Sequence, residues 1–292
     1  MKQGDIRSLL FGADGRSLFV NASELAAVLD KNPYEPAWEA VSKVWRRHSR
    51  RTFDESGIAL PGGWIDEMAK RHAGIGPLLR RAGETAPADL GEVLATAGFF
   101  AAKRGWTPAE TRKLEDRVRK ESFCAHGTVG ESRAIGDLEA ETGRGVALDA
   151  EYRHRELCVL ADGTSVRIGG RVDGTSDGGK TVVEIKNRVA GLAYKLREYE
   201  SFQLRAYLWI WGAPRGVLVE RLEFADGRAV SCRHKMAWDE DAWRGTVAVP
   251  LERAAGFVRR LSTDAEFAAA FAGSRTKNAL YRKALADPED PA

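Results

Sequence analysis

The sequence has little cysteine and no long apolar segment. Its three cysteines, Cys124, Cys158 and Cys232, are odd in number and far apart. This excludes a disulfide framework, a Cys-x-x-Cys metal knuckle and a four-cysteine iron–sulfur cluster. No apolar run approaches the roughly 18 residues of a membrane span, and residues 1–16 lack the apolar core of a secretion signal. We therefore expect a soluble, intracellular chain, cytoplasmic or nuclear, with no membrane partner.

A strong excess of charge of one sign is also missing. Lys and Arg total 45 against 42 Asp and Glu, which gives a formal net charge of +3. This balance excludes a polybasic nucleic-acid tail. The cations divide into 32 Arg and 13 Lys, and two explanations of the Arg excess stay open, phosphate recognition and a codon bias without function.

The 292 residues allow one large domain or two modest ones, and no break in composition separates two. Helical patterns dominate the first part of the chain, and strand patterns begin at Val146. We predict an α/β fold in which a small central mixed β-sheet is flanked by helices. The predicted single domain covers residues 1–274, with a mostly helical part at 1–125, a core at 126–215, a hairpin and helix at 216–274, and a tail at 275–292.

Capping and turn residues predict the local elements. A hairpin is expected around Asp14-Gly15, and a helix capped by Ser23 should follow. Thr107 and Glu110 form a capping-box pattern that predicts a helix, and Gly127 and Gly130 should precede a second helix. Turns at 161–163 and 177–179 then predict a meander of three strands across residues 151–187.

The stretch around the second of these turns carries chemistry. Side chains alternate along a strand, so Glu184 and Lys186 should share one face. Pairing across the turn lets Asp173 reach Glu184, and two adjacent carboxylates favour a hard divalent cation, to which the Ile185 carbonyl can also bind. A lysine beside them can orient water and stabilise charge on a phosphate. An ordinary hairpin with a salt bridge on a solvated face explains the same pattern.

Two further segments offer polar side chains beside apolar faces. Glu131 lies at the apolar seam formed by Ala134, Ile135 and Leu138, where it is either a third acid of a site or a first-turn Glu favoured by the helix dipole. Gln203 and Tyr207, four residues apart, lie on one face of a predicted helix. They are either part of the site or ordinary residues of a helix rim.

Taken together, these motifs resemble the PD-(D/E)xK nuclease superfamily, and more closely its YqaJ branch, the family of viral recombinases that includes phage lambda exonuclease. The matching motifs, in chain order, are Asn21-Ala22-Ser23-Glu24-Leu25, Asn32-Pro33-Tyr34, Gly127-x-x-x-Glu131, Asp173, Glu184-x-Lys186 and Gln203-x-x-x-Tyr207. The sequence departs from the family at Arg171-Val172 and at Asn21. The resemblance implies a restriction-endonuclease-like core.

The resemblance also implies roles for single residues. Asp173 and Glu184 would bind catalytic Mg²⁺ or Mn²⁺ with the Ile185 carbonyl, and Glu131 would help a metal ion or its water. Lys186 would activate the attacking water, and Gln203 would position Lys186 or the nucleophile. The residues implied in binding DNA or its 5′-phosphate are Arg16, Ser23, Arg188 and Tyr207.

The expected activity is metal-dependent exonuclease action on double-stranded DNA ends, 5′ to 3′, in recombination or repair. Partners implied by the family are a second and third copy of the chain in a trimer, and a single-strand annealing protein. A structure-specific or restriction-type endonuclease of the same core, and a DNA-binding module without catalysis, remain alternative hypotheses.

Overall fold

Strands form two β-sheets in the computed structural model, which describes residues 17–60, 63–148, 151–224 and 226–286. The strands are β1 Ser17–Asn21, β2 Val146–Leu148, β3 Arg153–Val159, β4 Ser165–Gly170, β5 Gly174–Ser176, β6 Thr181–Arg188, β7 Arg215–Glu223 and β8 Ala229–Ala237. One sheet has the order β1-β4-β3, with β1 parallel to β4. The other has the order β2-β5-β6-β7-β8, with β6 parallel to β7.

Helices flank both sheets. They are α1 Leu25–Val28, α2 Ala37–His48, α3 Arg50–Glu55, α4 Gly63–Arg71, α5 Ile75–Glu84, α6 Gly91–Ala102, α7 Pro108–Thr142, α8 Glu198–Trp211, α9 Glu240–Trp243, α10 Val249–Thr263, α11 Ala265–Gly273 and α12 Lys277–Ala286. Short 3₁₀ turns span Ala22–Glu24 and Pro87–Asp89, and a π-helical turn spans Arg244–Ala248. No helix of the described ranges is long and apolar enough to cross a membrane.

The α/β class with mixed strands and flanking helices is confirmed, but the predicted three-strand meander is wrong. β3 and β4 pair in the first sheet, whereas β5 and β6 pair in the second. The chain changes sheets at residues 171–173, because the free edge of β4 is taken by β1, which pairs with it in parallel. The buried Val172, 1% exposed, fixes this crossing segment in the core.

Three apolar clusters hold the elements together. The largest packs α2, α8, α10 and α12 around the first sheet, with Trp45, Phe257 and Tyr281 fully buried. A second cluster belongs to α4–α6 and the first half of α7. The third joins the second half of α7 to the five-stranded sheet through Ala134, Ile135, Leu138, Val183, Ile185 and Val219. Helix α7 therefore connects the helical part of the chain to the sheet that carries Glu184.

Helix α7 begins as predicted and is longer than predicted. Thr107 accepts a hydrogen bond from the Glu110 backbone, and the Glu110 side chain accepts one from the Thr107 backbone, so the capping box is confirmed. The helix then runs for 35 residues to Gly143, whose φ of 65° ends it. The predicted break at Gly127 is wrong, because a glycine inside a helix costs only about 1 kcal/mol. Glu131 is thus in mid-helix, and the helix dipole does not account for it.

Residues 277–286 form a helix that the sequence did not indicate. A tail was predicted from residue 275, whereas Lys277–Ala286 form α12. Tyr281 is completely buried, and its hydroxyl donates a 2.7 Å hydrogen bond to the Val28 carbonyl. The predicted hairpin at Asp14-Gly15 lies outside the described residues.

Candidate active site

The site is built on β6, whose two faces differ as the alternation predicts. Val183 and Ile185 pack against α7, and Glu184 and Lys186 point the other way, towards α8. The strand is buried on both faces from Thr181 to Ile185. Because Glu184 is only 4% exposed, the alternative of a salt bridge on a solvated hairpin face does not describe this pair.

Asp173 lies opposite Glu184 across the β5–β6 pairing. Gly174 pairs with Val183. Asp173, which precedes Gly174, therefore lies opposite Glu184, which follows Val183. The Ile185 backbone N–H donates a 2.6 Å hydrogen bond to Asp173 Oδ2. The Asp173 carboxyl group is close enough to Glu184 to raise the pKa of the Glu184 carboxyl group. Two acids in this position repel each other unless a proton or a cation compensates their charge.

Lys186 and Gln203 enclose the Glu184 carboxylate. Lys186 Nζ donates to Glu184 Oε1 at 2.7 Å and to Gln203 Oε1 at 3.2 Å. Gln203 Nε2 donates to Glu184 Oε1 at 2.9 Å, and it lies 2.9 Å from the Tyr207 hydroxyl, to which it also donates. Four residues predicted as part of one site are therefore connected by direct hydrogen bonds from β6 to α8.

Burial makes the charged form of Glu184 costly. Desolvation raises the pKa of Glu184 to about 7, opposed by the Lys186 ammonium and assisted by Asp173 and Glu131. For Lys186, burial is the largest single influence and works to lower the pKa, but the attraction and hydrogen bond of Glu184, together with the charges of Asp173 and Glu200, raise the pKa above its ordinary value. Glu184 Oε2 is buried without a hydrogen-bond partner among the described residues. A buried polar atom of this kind is costly unless something binds it.

Glu131 and Arg171 complete the charged surroundings. Burial raises the pKa of Glu131, and Asp173 raises it further, against attraction by Arg171 and Lys186. Burial likewise raises the pKa of Asp173. Among the described residues, no three His, Cys, Asp or Glu side chains form a ready-made metal cluster. Asp173 and Glu184 are the two carboxylates at this point that could hold a cation.

Asn187 was not identified from the sequence, although it explains Gly130 of α7 and contacts the backbone of Gly127. Asn187 Nδ2 donates a 2.7 Å hydrogen bond to the Gly127 carbonyl. A Cβ on Gly130 would lie 2.6 Å from Asn187 Cγ, a distance that side chains do not adopt. Gly130 thus lets α7 approach β6 closely enough to bring Glu131 to the site. The combination of Gly127, Gly130 and a polar residue after the lysine was the available signal.

The residues predicted to bind DNA or its 5′-phosphate lie in different surroundings. Arg16 lies outside the described residues. Ser23 is exposed in the 3₁₀ turn after β1. The Tyr207 ring is buried beside Gly170, whose Cβ would lie 2.6 Å from it and 3.2 Å from Ala22. Tyr207 therefore connects the turn that carries Ser23 to the hydrogen-bonded carboxylate site.

Arg188 has acidic partners of its own. Its Nε donates to Glu220 Oε1 at 2.6 Å, and its Nη2 donates to Glu200 Oε1 at 2.7 Å. Glu220 and Glu200 are 0% and 3% exposed. The guanidinium is thus placed between two buried carboxylates and fixes the start of α8 against β6 and β7.

A second charged network near Ser23 was also missed. Arg47 donates to both oxygens of Glu24, at 2.9 and 2.6 Å, and Asn21 Nδ2 donates to the same carboxylate. The Tyr152 hydroxyl donates to Asn21 Oδ1 at 3.0 Å. The partners are up to 131 residues apart, so no sequence spacing reveals the network. It holds α2 against the turn that carries Ser23.

Fold and site together define an α/β protein in which acids from a mixed sheet and a neighbouring helix lie around one lysine, with Glu184 buried. Comparison with solved structures finds the alkaline exonuclease LHK-Exo in complex with dAMP, at 14% identity and a TM-score of 0.42 over 87% of this chain and 91% of that one. A second structure of LHK-Exo, from Laribacter hongkongensis, is 17% identical with a TM-score of 0.37 over 50% of this chain and 72% of that one. A phage-related exonuclease from Haemophilus somnus is 12% identical, with a TM-score of 0.34, over 50% of this chain and 71% of that one. No protein-family profile and no curated protein sequence matches this chain.

Proposed function

We propose that this chain is a metal-dependent deoxyribonuclease, an exonuclease that hydrolyses phosphodiester bonds from double-stranded DNA ends. The observation that carries the proposal is the Glu184 carboxyl group. It is buried, one of its oxygens has no partner among the described residues, and Asp173 and Lys186 are beside it. A protein that only bound DNA would gain nothing from so costly an arrangement.

The donors at this point fit a hard divalent cation. Carboxylate and carbonyl oxygens are the ligands that Mg²⁺ and Mn²⁺ prefer. Asp173, Glu184 and the Ile185 carbonyl would hold the ion, and Glu131 would hold it or a bound water. The unpartnered Glu184 Oε2 is the atom that supports this fit. When bound, the ion would act as a Lewis acid on the phosphate and lower the pKa of water.

The protein side chains then have separate tasks. Lys186 is protonated near neutral pH, because Glu184 raises its pKa, and its ammonium stabilises negative charge that develops on the phosphate oxygens. Gln203 accepts from Lys186 and holds it in position, and Tyr207 holds Gln203. Together they orient the attacking water, which follows the role that the family resemblance implies for the lysine.

The substrate and partners follow from the motif resemblance and from the free polar groups. Ser23, exposed beside the site, and Arg16 would bind a terminal 5′-phosphate. Arg188 has no such role in this proposal, because its guanidinium donates to two buried carboxylates. A 5′ to 3′ direction, a trimer and an annealing partner remain part of the proposal, with recombination or repair as the setting.

A cleavage assay tests the proposal. Linear duplexes with and without a 5′-phosphate, and a closed circle, are incubated with the protein in Mg²⁺, in Mn²⁺ and in EDTA. We expect nucleotides to be released from linear ends in either metal and not in EDTA, faster with the 5′-phosphate. Lys186→Ala should reduce the rate by about 100-fold or more, since it removes the charge that stabilises the reacting phosphate.

Lys180→Ala is the matched control, because Lys180 is exposed in the turn before the same strand. It should cleave like the unaltered protein. Full activity in Lys186→Ala contradicts the assignment of the site. Cutting of the closed circle would instead indicate an endonuclease of the same core. Undetectable cleavage together with DNA binding would indicate a binding module.

A further inference from the structure

Two tyrosines with large exposed surfaces border the start of α8. Tyr34, between α1 and α2, is 75% exposed, and Tyr194, in the segment before α8, is 77% exposed. They are the two most exposed large hydrophobic side chains among the described residues. A single exposed aromatic side chain is common on protein surfaces, so the surroundings of each ring decide whether it can bind a ligand.

Tyr34 is supported from one side by a second aromatic ring. Tyr199, half-buried in the first turn of α8, lies with its ring centroid 5.6 Å from that of Tyr34, and the two planes are at 88°. This edge-to-face arrangement is a favourable one for two aromatic side chains. It fixes the Tyr34 ring and leaves most of its surface accessible.

The loop that presents Tyr34 is short and anchored. The Tyr34 backbone N–H donates a 3.0 Å hydrogen bond to Asn32 Oδ1. Pro33 and Pro36 restrict the backbone on either side of Tyr34. The Lys31 N–H donates to the Ala26 carbonyl at 2.7 Å. The loop is therefore already ordered, and a ligand that stacks on Tyr34 loses little binding free energy to ordering it.

The pair formed by Tyr34 and Tyr199 is connected to the carboxylate–lysine site through α8. Tyr199 and Gln203 are four residues apart on α8, on the same face and separated by about 6 Å along the helix axis. Gln203 donates directly to Glu184. Glu200, next to Tyr199, accepts from Arg188 at the end of β6. These bonds fix the distance between the pair and the site.

Cationic side chains occur in the segments that carry these rings. Lys31 and Lys195 are exposed, and Arg197 Nη1 donates a 3.0 Å hydrogen bond to the Tyr199 hydroxyl. Glu198 lies 3.9 Å from the Lys31 ammonium, and the lysine side chain keeps 49% of its surface exposed. An aromatic face beside lysine and arginine is the combination that binds unpaired nucleotides, because bases stack on the ring and phosphates meet the cations.

We propose that Tyr34, supported by Tyr199, stacks on an unpaired nucleobase of the DNA strand that the site hydrolyses. This inference rests on the proposed nuclease function and adds a substrate class to it, a duplex end that carries at least one unpaired nucleotide. Tyr199, which supports Tyr34, lies about one helical turn before Gln203 on α8.

Binding measured without hydrolysis tests the stacking site. Fluorescence anisotropy in EDTA gives the affinity of the full chain for labelled duplexes with a short overhang, in which each of the first four unpaired nucleotides is in turn abasic. At one position, loss of the base should weaken binding by about 5- to 100-fold. Tyr34→Ala should weaken binding to the intact overhang by a similar factor, and it should remove the difference between intact and abasic DNA.

Variants that keep or remove only the ring sharpen the test. Tyr34→Trp should retain the preference for an intact base, whereas Tyr34→Leu, which keeps apolar bulk, should lose it. Phe99→Ala, at a 62% exposed aromatic on α6, should bind like the unaltered protein. The inference is overturned if no abasic position weakens binding, or if Tyr34→Ala keeps the same ratio as the unaltered protein. Base-dependent binding without cleavage in Mg²⁺ or Mn²⁺ would overturn the nuclease proposal and leave the stacking site intact.

Discussion

Glu184 combines burial, a neighbouring acid and a neighbouring lysine in one position. The lysine compensates only part of the desolvation, so the pKa of the carboxyl group is raised to about 7 instead of its ordinary 4.5. Between these two pH values the folded chain binds more protons than the unfolded chain. The contribution of Glu184 to the free energy of unfolding of the metal-free protein therefore falls as the pH rises from 4.5 to about 7. Above about pH 7 this contribution no longer changes.

The raised pKa makes cation binding depend on pH in a defined direction. A divalent cation binds the ionised carboxylate and must displace a proton below about pH 7. We expect Mg²⁺ to raise the melting temperature more at pH 8 than at pH 6. Thermal unfolding with Mg²⁺ and with EDTA at both pH values measures the difference.

Glu184→Gln serves as the control for this measurement, because it keeps the size of the side chain and removes the ionisable group. This variant should show little Mg²⁺ effect at either pH. An equal Mg²⁺ effect at pH 6 and pH 8 in the unaltered protein would show that Glu184 is not a ligand.

At the scale of secondary-structure elements, the site depends on the contact between α7 and β6. It requires a residue without a side chain at Gly130, where a Cβ would overlap Asn187. We expect Gly130→Ala to destabilise the fold by about 1–3 kcal/mol, as overpacking does. It should also lower the cleavage rate, because it moves Glu131 away from Asp173. Chemical denaturation and the cleavage assay measure the two effects.

Gly127 offers a matched control in the same helix. A Cβ there has no heavy atom within 4 Å, and the carbonyl that accepts from Asn187 is retained in an alanine variant. Gly127→Ala should therefore leave cleavage unchanged and stabilise the helix by up to about 1 kcal/mol. If both variants behaved alike, the close approach to Asn187 would not be the reason for the glycine at position 130.

At the scale of the whole molecule, helix α12 closes the main core. Helix α12 places Tyr281 against Phe257, with ring centroids 5.0 Å apart, and its hydroxyl bonds to the Val28 carbonyl of α1. Residues 253 apart in the sequence are thereby joined. Helix α1, which lies between Ser23 and Tyr34, is therefore stabilised by contact with α12.

Loss of this closing contact should destabilise the entire fold. Tyr281→Ala removes a fully buried aromatic ring, and we expect it to lower the free energy of unfolding by about 3–5 kcal/mol. Tyr281→Phe, which loses only the hydrogen bond, should cost about 1–3 kcal/mol. Leu280→Ala, at a 44% exposed neighbour, should stay within about 0.5 kcal/mol of the unaltered protein. Equal stabilities of the two alanine variants would show that α12 is not part of the core.

The sequence by itself determined the parts of the site that depend on local periodicity. Alternation along a strand put Glu184 and Lys186 on one face, the turn at 177–179 brought Asp173 opposite Glu184, and helical spacing aligned Gln203 with Tyr207. The start of α7 followed from its capping box in the same way. These relations span only a few residues, so they could be predicted.

Only the tertiary structure decided the relations between distant segments. Packing divided the strands between two sheets, continued α7 through Gly127, and placed Arg188 between Glu200 and Glu220. It also buried Glu184 and raised its pKa. Burial and ion pairing depend on which residues meet across the whole chain, and local spacing carries no information about that. The sequence therefore supplied the reacting groups, and the fold set the electrostatic environment in which they act.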